Sequence, residues 1–349
     1  MAKKILMSGN EAMAEGAIQA GCFFYAGYPI TPQNEIPAYM SWRMLEAGGI
    51  FIQAESELAA INMVFGAALT GARALTSSSS PGISLKQEGI SYIAGAELPA
   101  VIINVMRAGP GLGNIEPSQS DYFQATKGGG HGDYHSIVLA PASVQEAYDL
   151  MSAAFDLADK YRAPVIILSD GMLGQMMEPL ETQNAKRKTQ NYKKPWALTG
   201  CQGRKPNIIR SLYLKEGVLE ELNLALQKKY RAIQQKEKRW EEMNLSGSDI
   251  ILVAYGTMAR VARSAMNKLR EKGKKIGLIR PVTLWPFPDG VFTKAAKKKV
   301  KFLVVEMSYG QMLEDVKLAV NGKAEVEFFG RAGGGIPTEA EICSKIRKM

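Results

Sequence analysis

Residues 23–32 read Phe-Phe-Tyr-Ala-Gly-Tyr-Pro-Ile-Thr-Pro, and this stretch indicates how the chain around it folds. The apolar residues of Phe23–Ala26 predict a strand that ends at Gly27. The residues from Pro32 to Leu45 follow a helical pattern, with Thr31 in the position of an N-cap. A short apolar strand followed closely by a helix is the repeating unit of a parallel α/β sheet.

The same alternation extends along most of the chain. Further strands are predicted at residues 50–52, 74–76, 101–105, 137–139 and 164–168, with helices at 57–69, 82–94 and 143–160. The pattern resumes after a break, with strands at 250–254, 275–279, 302–305 and 326–328 and helices at 258–271 and 311–320. These strands are apolar on both faces, as in parallel sheets that are covered on both sides. We therefore predict the α/β class, with two parallel-sheet domains at residues 1–181 and 249–349.

Composition and cysteine usage narrow the class of protein. Of the 349 residues, 46% are hydrophobic and 22% are charged, which is typical of a globular chain with a sizeable core. No run approaches the roughly 18 apolar residues of a membrane helix, and the N-terminus does not resemble a secretory signal. The isolated cysteines Cys22, Cys201 and Cys343 argue against a disulfide framework and against an iron–sulfur or zinc site made by this chain alone. We expect a cytoplasmic protein without a membrane segment.

The positive charge of the chain is concentrated between the two predicted domains. Residues 185–240 carry fifteen Lys and Arg against four Glu, whereas the net charge of the whole chain is +9. We interpret residues 182–248 as a basic linker with an accessory helix over Val218–Met243, facing solvent or a partner. A nucleic-acid-binding module is the alternative for this segment, but the segment has few aromatic residues and no recognised motif. No nucleic-acid partner is therefore expected.

Polar side chains follow three of the predicted strands, at the edge where open α/β sheets bind ligands. Thr31 offers a hydroxyl beside the positive end of a helix, although a turn with an N-cap explains it equally. Glu55 and Glu57 precede an alanine-rich helix. A helix N-terminus favours such acids, and apolar neighbours can also let one hold a proton for donation. Arg107 follows the strand at 101–105 and can bind a carboxylate in bidentate fashion.

Two glycine-rich loops, at residues 111–121 and 127–133, are long for a compact domain and are therefore expected to be functional. They contain neither a dinucleotide-binding nor a Walker pattern. The two histidines of the chain, His131 and His135, lie in or beside the second loop and are interpreted as structural. Ser169–Gly171 matches the start of a magnesium–diphosphate motif only in part, so we interpret it as a strand end and predict no metal site here.

Taken together, these stretches resemble the α-type subunit of the 2-oxoacid:ferredoxin oxidoreductases, most of all the branched-chain (2-oxoisovalerate) type. The resemblance covers nearly the whole chain and is weakest in residues 185–240. Its motifs are Gly27–Glu35 (GYPITPQNE), Gln53–Asn62 (QAESELAAIN), Thr76–Ser84 (TSSSSPGIS), Ile93–Pro99 (IAGAELP), Asn104–Asp121, Lys127–Asp133, Ser169–Pro179, Ile279–Pro288 (IRPVTLWPFP) and Glu306–Val316 (EMSYGQMLEDV).

The resemblance implies that the first domain binds the pyrimidine ring of thiamine diphosphate and that the second is similar to the C-terminal domain of transketolases. Alignment of the helix places the glutamate that activates the pyrimidine at Glu57, with Glu55 as the fallback. Thr31 and Arg107 fall on family positions near the substrate carboxylate. The catalytic residues implied are therefore Glu57, Thr31 and Arg107, and the implied cofactor-binding set adds Tyr28, Pro29 and Ile30.

The implied activity is oxidative decarboxylation of a 2-oxoacid to acyl-coenzyme A and carbon dioxide, with electrons passed to ferredoxin. A β-type partner subunit is expected to supply the diphosphate and magnesium site, and an iron–sulfur subunit the clusters, in a dimer of hetero-oligomers. The chain alone is then inactive.

The substrate prediction rests on the loop from Ala108 to Asp121, which contains no Lys or Arg and presents Leu112, Ile115 and Pro117. These residues suit a branched apolar chain, because a second buried carboxylate needs a second cation. Lys127 is the nearest basic candidate in sequence. A pyruvate- or 2-oxoglutarate-preferring member of the family stays an alternative. So does the β-type subunit of an NAD-linked 2-oxoacid dehydrogenase complex, although the motifs at 28–32 and 107–114 argue against it.

Overall fold

The computed structural model describes residues 4–182 and 192–349. Strands alternate with helices along the chain. The strands are β1 (Lys4–Ser8), β2 (Phe24–Gly27), β3 (Ile50–Gln53), β4 (Ala74–Ser78), β5 (Ala100–Met106), β6 (Ile137–Leu139), β7 (Pro164–Asp170), β8 (Met177–Glu181), β9 (Trp240–Met243), β10 (Ile250–Val253), β11 (Ile276–Pro281), β12 (Thr283–Trp285), β13 (Lys301–Glu306) and β14 (Val326–Gly330). The helices are α1 (Gly9–Gln19), α2 (Glu35–Glu46), α3 (Glu57–Leu69), α4 (Ser80–Gly95), α5 (Tyr122–Thr126), α6 (Val144–Tyr161), α7 (Gly171–Gln175), α8 (Val218–Lys236), α9 (Gly256–Glu271), α10 (Asp289–Ala295), α11 (Gln311–Val320) and α12 (Glu339–Lys348).

The first sheet has seven strands in the order β12-β6-β7-β5-β4-β2-β3. All neighbours in it are parallel except β12, which pairs antiparallel with β6. Every residue of the central strands β5 and β7 is buried, which accounts for their apolar sequences on both faces. The predicted α/β class is confirmed.

The second sheet has five strands in the order β14-β13-β10-β11-β9. Its pairs are again parallel, except that β9 runs antiparallel to β11. Strands β1 and β8 form a separate two-stranded antiparallel sheet. Strand β12 lies in the range predicted for the second domain but is an edge strand of the first sheet. Strand β9 lies in the predicted linker but is an edge strand of the second sheet. The domain boundaries themselves stay a prediction.

The start of α2 differs from the sequence prediction. The helix begins at Glu35, so Thr31 is not its N-cap. The carbonyl of Thr31 already accepts a hydrogen bond from Arg107 at 3.1 Å, and that of Pro32 accepts one from Asn10 at 2.8 Å. These carbonyls therefore serve tertiary contacts and not a first helical turn.

The predicted accessory helix over Val218–Met243 is too long. It ends at Lys236, and Trp240–Met243 forms the edge strand β9. The strand is held in place because Glu241 pairs with the buried Arg280 of β11 at 3.0 Å. The helix packs on the first domain through the buried residues Leu226, Tyr230 and Ile233. Part of the basic segment, residues 183–191, lies outside the described residues.

Buried polar contacts join the two sheets. Asp170, at the end of β7, accepts hydrogen bonds from the Thr257 hydroxyl at 2.7 Å and the Thr257 amide at 3.2 Å. Gln119 donates to the carbonyl of Tyr255 at 2.9 Å and accepts from the amide of Met307 at 3.0 Å. These bonds hold the loop that follows β5 against the second sheet. Across residues 4–182 and 192–349, none of the helices is long and apolar enough to cross a membrane.

Candidate functional site

The carboxyl edge of the first sheet brings the predicted site residues together. Strands β5, β4, β2 and β3 are neighbours in that order and parallel, so all four end at this edge. The loop after β2 carries Thr31, the turn after β3 leads to Glu57, and Arg107 directly follows β5. Residues that are distant in sequence therefore share one edge, as expected for a ligand site in an open α/β sheet.

Glu57 is the first residue of α3, and Ser56 caps that helix with its side chain. The Glu57 side chain is buried, with 6% of its surface exposed, whereas Glu55 is exposed. Space for the carboxylate exists because residue 82 is glycine. A Cβ atom at Gly82 would lie 2.5 Å from Glu57 Oε1 and 2.1 Å from Ser78 Oγ. Burial and this close approach favour Glu57 over Glu55 as the acid inside the site.

Arg107 is also buried, with 9% of its surface exposed, and backbone carbonyls hold its guanidinium. Nη1 donates to the carbonyl of Thr31 at 3.1 Å, and Nη2 donates to that of Leu112 at 3.0 Å. Nε has no hydrogen-bond partner, and no carboxylate in the described part of the chain forms an ion pair with Arg107. A buried guanidinium held only by carbonyls keeps the capacity to bind an anion such as a carboxylate.

A chain of buried polar groups supports the loop that carries Thr31. The hydroxyls of Tyr25 and Ser77 lie 2.7 Å apart, and Ser77 donates to Gln33 Oε1 at 2.6 Å. Gln33 Nε2 in turn donates to the carbonyl of Tyr28 at 3.2 Å. The loop conformation is therefore set from beneath by side chains of β2 and β4.

The outer face of this loop is open. Tyr28 and Pro29 are exposed, and Ile30 and Thr31 are half-buried. The Thr31 hydroxyl accepts a hydrogen bond from Asn34 Nδ2 at 3.2 Å, so its own proton is free to donate. The residues predicted to bind the cofactor thus stand where a ligand or a partner chain can reach them.

Buried polar atoms without hydrogen-bond partners gather at the same edge. They are Ser78 Oγ, Ser79 Oγ, Asn104 Oδ1 and Arg107 Nε. Asp121 lies beside them, accepting hydrogen bonds from Ser80 Oγ at 2.6 Å and Asn104 Nδ2 at 2.9 Å, and burial raises its pKa. Unsatisfied buried polar atoms are rare and costly in protein interiors, so this edge has the chemistry of a site that receives a polar ligand.

The two glycine-rich loops are tied to the second domain. Asn114 in the first loop donates to the carbonyl of Gly333 at 3.2 Å, and Lys127 at the start of the second pairs with Asp315. In the first loop, Leu112 and Ile115 are 80% and 60% exposed. The loop thus combines anchored ends with an apolar surface that nothing in the described chain covers.

The remaining polar candidates have structural contacts. His131 meets Tyr92 edge-on, and His135 stacks on Trp285 with 4.5 Å between the rings. Asp170 ends β7 and caps α7, and burial raises its pKa. Among residues 4–182 and 192–349, no group of three or more His, Cys, Asp or Glu is placed to hold a metal ion.

Sequence reasoning did not single out the residues of α4 that face Glu57. Lys86 is completely buried and donates from Nζ to the main-chain carbonyl of Glu57 at 3.3 Å. Gly82, Lys86 and Gly89 follow an i, i+4, i+7 spacing, which places them on one face of the helix. That spacing is the signal that could have identified this face before the structure was known.

Comparison with protein families gives two matches that together span most of the chain. Residues 15–243 match the family described as "Pyruvate flavodoxin/ferredoxin oxidoreductase, thiamine diP-bdg". Residues 248–342 match "Pyruvate:ferredoxin oxidoreductase core domain II".

Curated relatives match over nearly their full length. The chain is 52% identical to the ketoisovalerate oxidoreductase subunit VorB of Methanothermobacter marburgensis, covering 99% of this chain and 97% of that protein. It is 36% identical to the 2-oxoglutarate synthase subunit KorA of the same organism, covering 100% of both.

Solved structures show the same arrangement. The 2-oxoglutarate:ferredoxin oxidoreductase from Magnetococcus marinus superposes with a TM-score of 0.89 at 28% identity, covering 99% of this chain. This chain spans 65% of the length of that one. A split-gene transketolase superposes with a TM-score of 0.60 at 12% identity, covering 98% of this chain and 97% of that one, which is a likeness of fold alone.

Proposed function

The chain belongs to the 2-oxoacid:ferredoxin oxidoreductase family, and we propose that it is the subunit that contacts the pyrimidine ring of thiamine diphosphate in an enzyme for branched-chain 2-oxoacids. The reaction is the oxidative decarboxylation of the 2-oxoacid to an acyl-coenzyme A, with ferredoxin as electron acceptor. One observation carries the proposal. The buried Arg107 guanidinium, without a carboxylate partner in the described chain, lies at the same sheet edge as the buried Glu57.

The residues at this edge fit the pyrimidine half of the cofactor. When bound, thiamine diphosphate would supply a nucleophilic thiazolium carbon for the 2-oxo group and a cationic ring that serves as electron sink for decarboxylation. Glu57 would contact the pyrimidine and exchange a proton with it, and the loop residues Tyr28, Pro29 and Ile30 would line the ring. The glycine at position 82 supports this assignment, because a larger residue there would displace the Glu57 carboxylate.

Arg107 and Thr31 would bind the substrate carboxylate. The guanidinium keeps Nε unpaired and is fixed by two carbonyls, so little side-chain freedom is lost when an anion binds. The Thr31 hydroxyl can donate to the same anion, since its acceptor side is used by Asn34. Together these two groups would orient the 2-oxo carbon and favour a substrate that carries a carboxylate over one with a neutral end.

The apolar loop argues for a branched side chain on the substrate. Leu112 and Ile115 are exposed beside the carbonyl that holds Arg107. A second carboxylate, as in 2-oxoglutarate, would need a further cation. Lys127, the basic residue nearest in sequence, is already paired with Asp315. We therefore infer a preference for 2-oxoisovalerate over 2-oxoglutarate, although an apolar pocket discriminates between similar aliphatic chains by only about 1–3 kcal/mol.

The site is proposed to be completed by other subunits. A β-type subunit would hold the diphosphate and magnesium, an iron–sulfur subunit would carry electrons towards ferredoxin, and coenzyme A would accept the acyl group. The names of the relatives, each a subunit of an oxidoreductase or synthase, support the presence of partner subunits. The open face around Tyr28 and Leu112 supports it too, since these residues are 38% and 80% exposed in the described chain.

The experiment is to purify this chain with its partner subunits and measure viologen reduction with coenzyme A and a series of 2-oxoacids. We expect turnover by the complex, none by the chain alone, and the highest kcat/KM for 2-oxoisovalerate and its branched relatives. Turnover by the single chain would contradict the shared site. A clear advantage for 2-oxoglutarate would contradict the apolar pocket.

A further inference from the structure

A lysine is buried beneath the head of α3. Lys86 has no exposed surface, and its Nζ donates to the main-chain carbonyl of Glu57 at 3.3 Å and to Thr76 Oγ1 at 3.1 Å. No carboxylate in the described chain forms an ion pair with it. Burying a cation without a paired carboxylate is expensive, so a purely structural role would be served better by an apolar residue.

The charged groups around Lys86 are few. On α3 the acid is Glu57. Its negative charge raises the pKa of Lys86 and so partly offsets the larger lowering caused by burial. Strands β4 and β5, which pack against this face, contain no Asp, Glu, Lys, Arg or His. On α4 itself, Glu88 is exposed and accepts a bond from Tyr92. At the start of α4, Asp121 is held by Ser80 and Asn104.

The face of α4 that meets α3 carries two glycines at which an added Cβ atom would clash with side chains of α3. A Cβ atom at Gly82 would meet the Glu57 carboxylate, and one at Gly89 would lie 2.5 Å from Ile61 Cγ2. Lys86 lies between these glycines, one helical turn from each. The two glycines let α3 and α4 approach closely. Lys86 lies between them and donates a hydrogen bond to the main-chain carbonyl of Glu57, the residue whose carboxylate has space because position 82 is glycine.

We propose that Lys86 is a positioning residue, whose ammonium group anchors the first turn of α3 and thereby holds the Glu57 carboxylate in place for the cofactor. The proposal rests on the function proposed above, in which Glu57 contacts the pyrimidine. It adds a titratable group beneath that contact. The charged form of Lys86 is the better anchor, because an ammonium makes stronger hydrogen bonds than a neutral amine.

The anchor is expected to be sensitive to pH. Burial lowers the pKa of Lys86 to about 7. As pH rises through this value, the ammonium loses its proton and its bond to the Glu57 carbonyl weakens. A lysine that only filled space would give no such dependence, which separates the two roles.

The test measures thiamine diphosphate affinity by calorimetry between pH 6 and 9 on the complex with its partner subunits. For the unchanged chain we expect the affinity to fall by roughly tenfold across an inflection near pH 7, as expected for a lost charge-assisted hydrogen bond. Lys86→Met should bind weakly at all pH values and show no inflection. Lys86→Arg, which keeps its charge throughout, should bind well and also lack the inflection.

Thr76→Val is the matched control, because it removes one hydrogen bond of Lys86 and leaves the titratable amine in place. It should retain the inflection. A flat profile for the unchanged chain, or an inflection that persists in Lys86→Met, would overturn the proposal, and the first of these needs no variant to fold.

Failure of this proposal is distinguishable from failure of the proposed function. If Glu57→Gln suppresses proton exchange at the thiazolium carbon of the bound cofactor while Lys86→Met matches the unchanged chain in cofactor affinity, Lys86 has no positioning role but Glu57 keeps its own. If Glu57→Gln also has no effect, the pyrimidine contact itself is wrong.

Discussion

Gly82→Ala tests the site with the smallest possible change. The added methyl group would lie 2.1 Å from Ser78 Oγ and 2.5 Å from Glu57 Oε1, far inside the normal contact distance of 3.4 Å. The Glu57 carboxylate must therefore move by about 1 Å, a displacement that can cost on the order of 10²-fold in rate at a catalytic centre. The substitution also favours the helix by about 1 kcal/mol, while crowding costs about 1–3 kcal/mol.

The matched control is Gly66→Ala in α3. Nothing lies within 4 Å of a Cβ atom at Gly66, so the helix propensity gain of about 0.5–1 kcal/mol should appear without a penalty. The assay pairs denaturant unfolding of the full chain with viologen-coupled turnover of the complex. We expect Gly66→Ala to be slightly stabilised, and Gly82→Ala to be neutral or mildly destabilised with turnover reduced about 10²-fold. Normal turnover by a folded Gly82→Ala complex would refute the placement of the Glu57 carboxylate.

Three further predictions concern single groups. Arg107→Met should raise KM for the 2-oxoacid by about 10²-fold or more, because the substrate carboxylate loses its charged partner. KM for coenzyme A should stay unchanged. Equal increases in both KM values would contradict this role of Arg107. Lys86 should by itself contribute a rise in the free energy of unfolding between about pH 7 and pH 10, because the unfolded chain protonates Lys86 at an ordinary pKa whereas the folded chain does not until pH falls to about 7. The slope is at most about 1.4 kcal/mol per pH unit, and Lys86→Met should remove that part of it in denaturant titrations at several pH values. Thr257→Val should cost about 1–3 kcal/mol in the same unfolding assay, because the buried Asp170 loses its hydroxyl donor; a change below 0.5 kcal/mol would argue against a structural role for this contact.

The central strands were predictable because burial on both faces leaves a continuous apolar signature. The prediction at 101–105 falls inside β5, and that at 137–139 matches β6. Edge strands carry no such signature. The sequence of β9, Trp-Glu-Glu-Met, extends the charged pattern of α8, and its contact with the buried Arg280 joins it to a strand that is distant in sequence.

The site was predictable as far as strand ends and helix starts could be located. The start of α3 at Glu57 agrees with its sequence pattern, and so does the position of Arg107 after β5. The roles of these residues stay predictions. The contacts of Lys86 and Gly82 with Glu57 could not be predicted, because they join positions more than twenty residues apart through the packing of two helices.

The most direct measurement is the rate of proton exchange at the thiazolium carbon of bound thiamine diphosphate, compared between Glu57→Gln and Glu55→Gln in complexes with the partner subunits. The two variants make the same chemical change two residues apart, one at a buried and one at an exposed position. We predict that Glu57→Gln leaves the complex assembled but suppresses exchange by orders of magnitude, and that Glu55→Gln exchanges normally. Normal exchange in Glu57→Gln together with loss in Glu55→Gln would contradict the assignment and move the activating acid to Glu55.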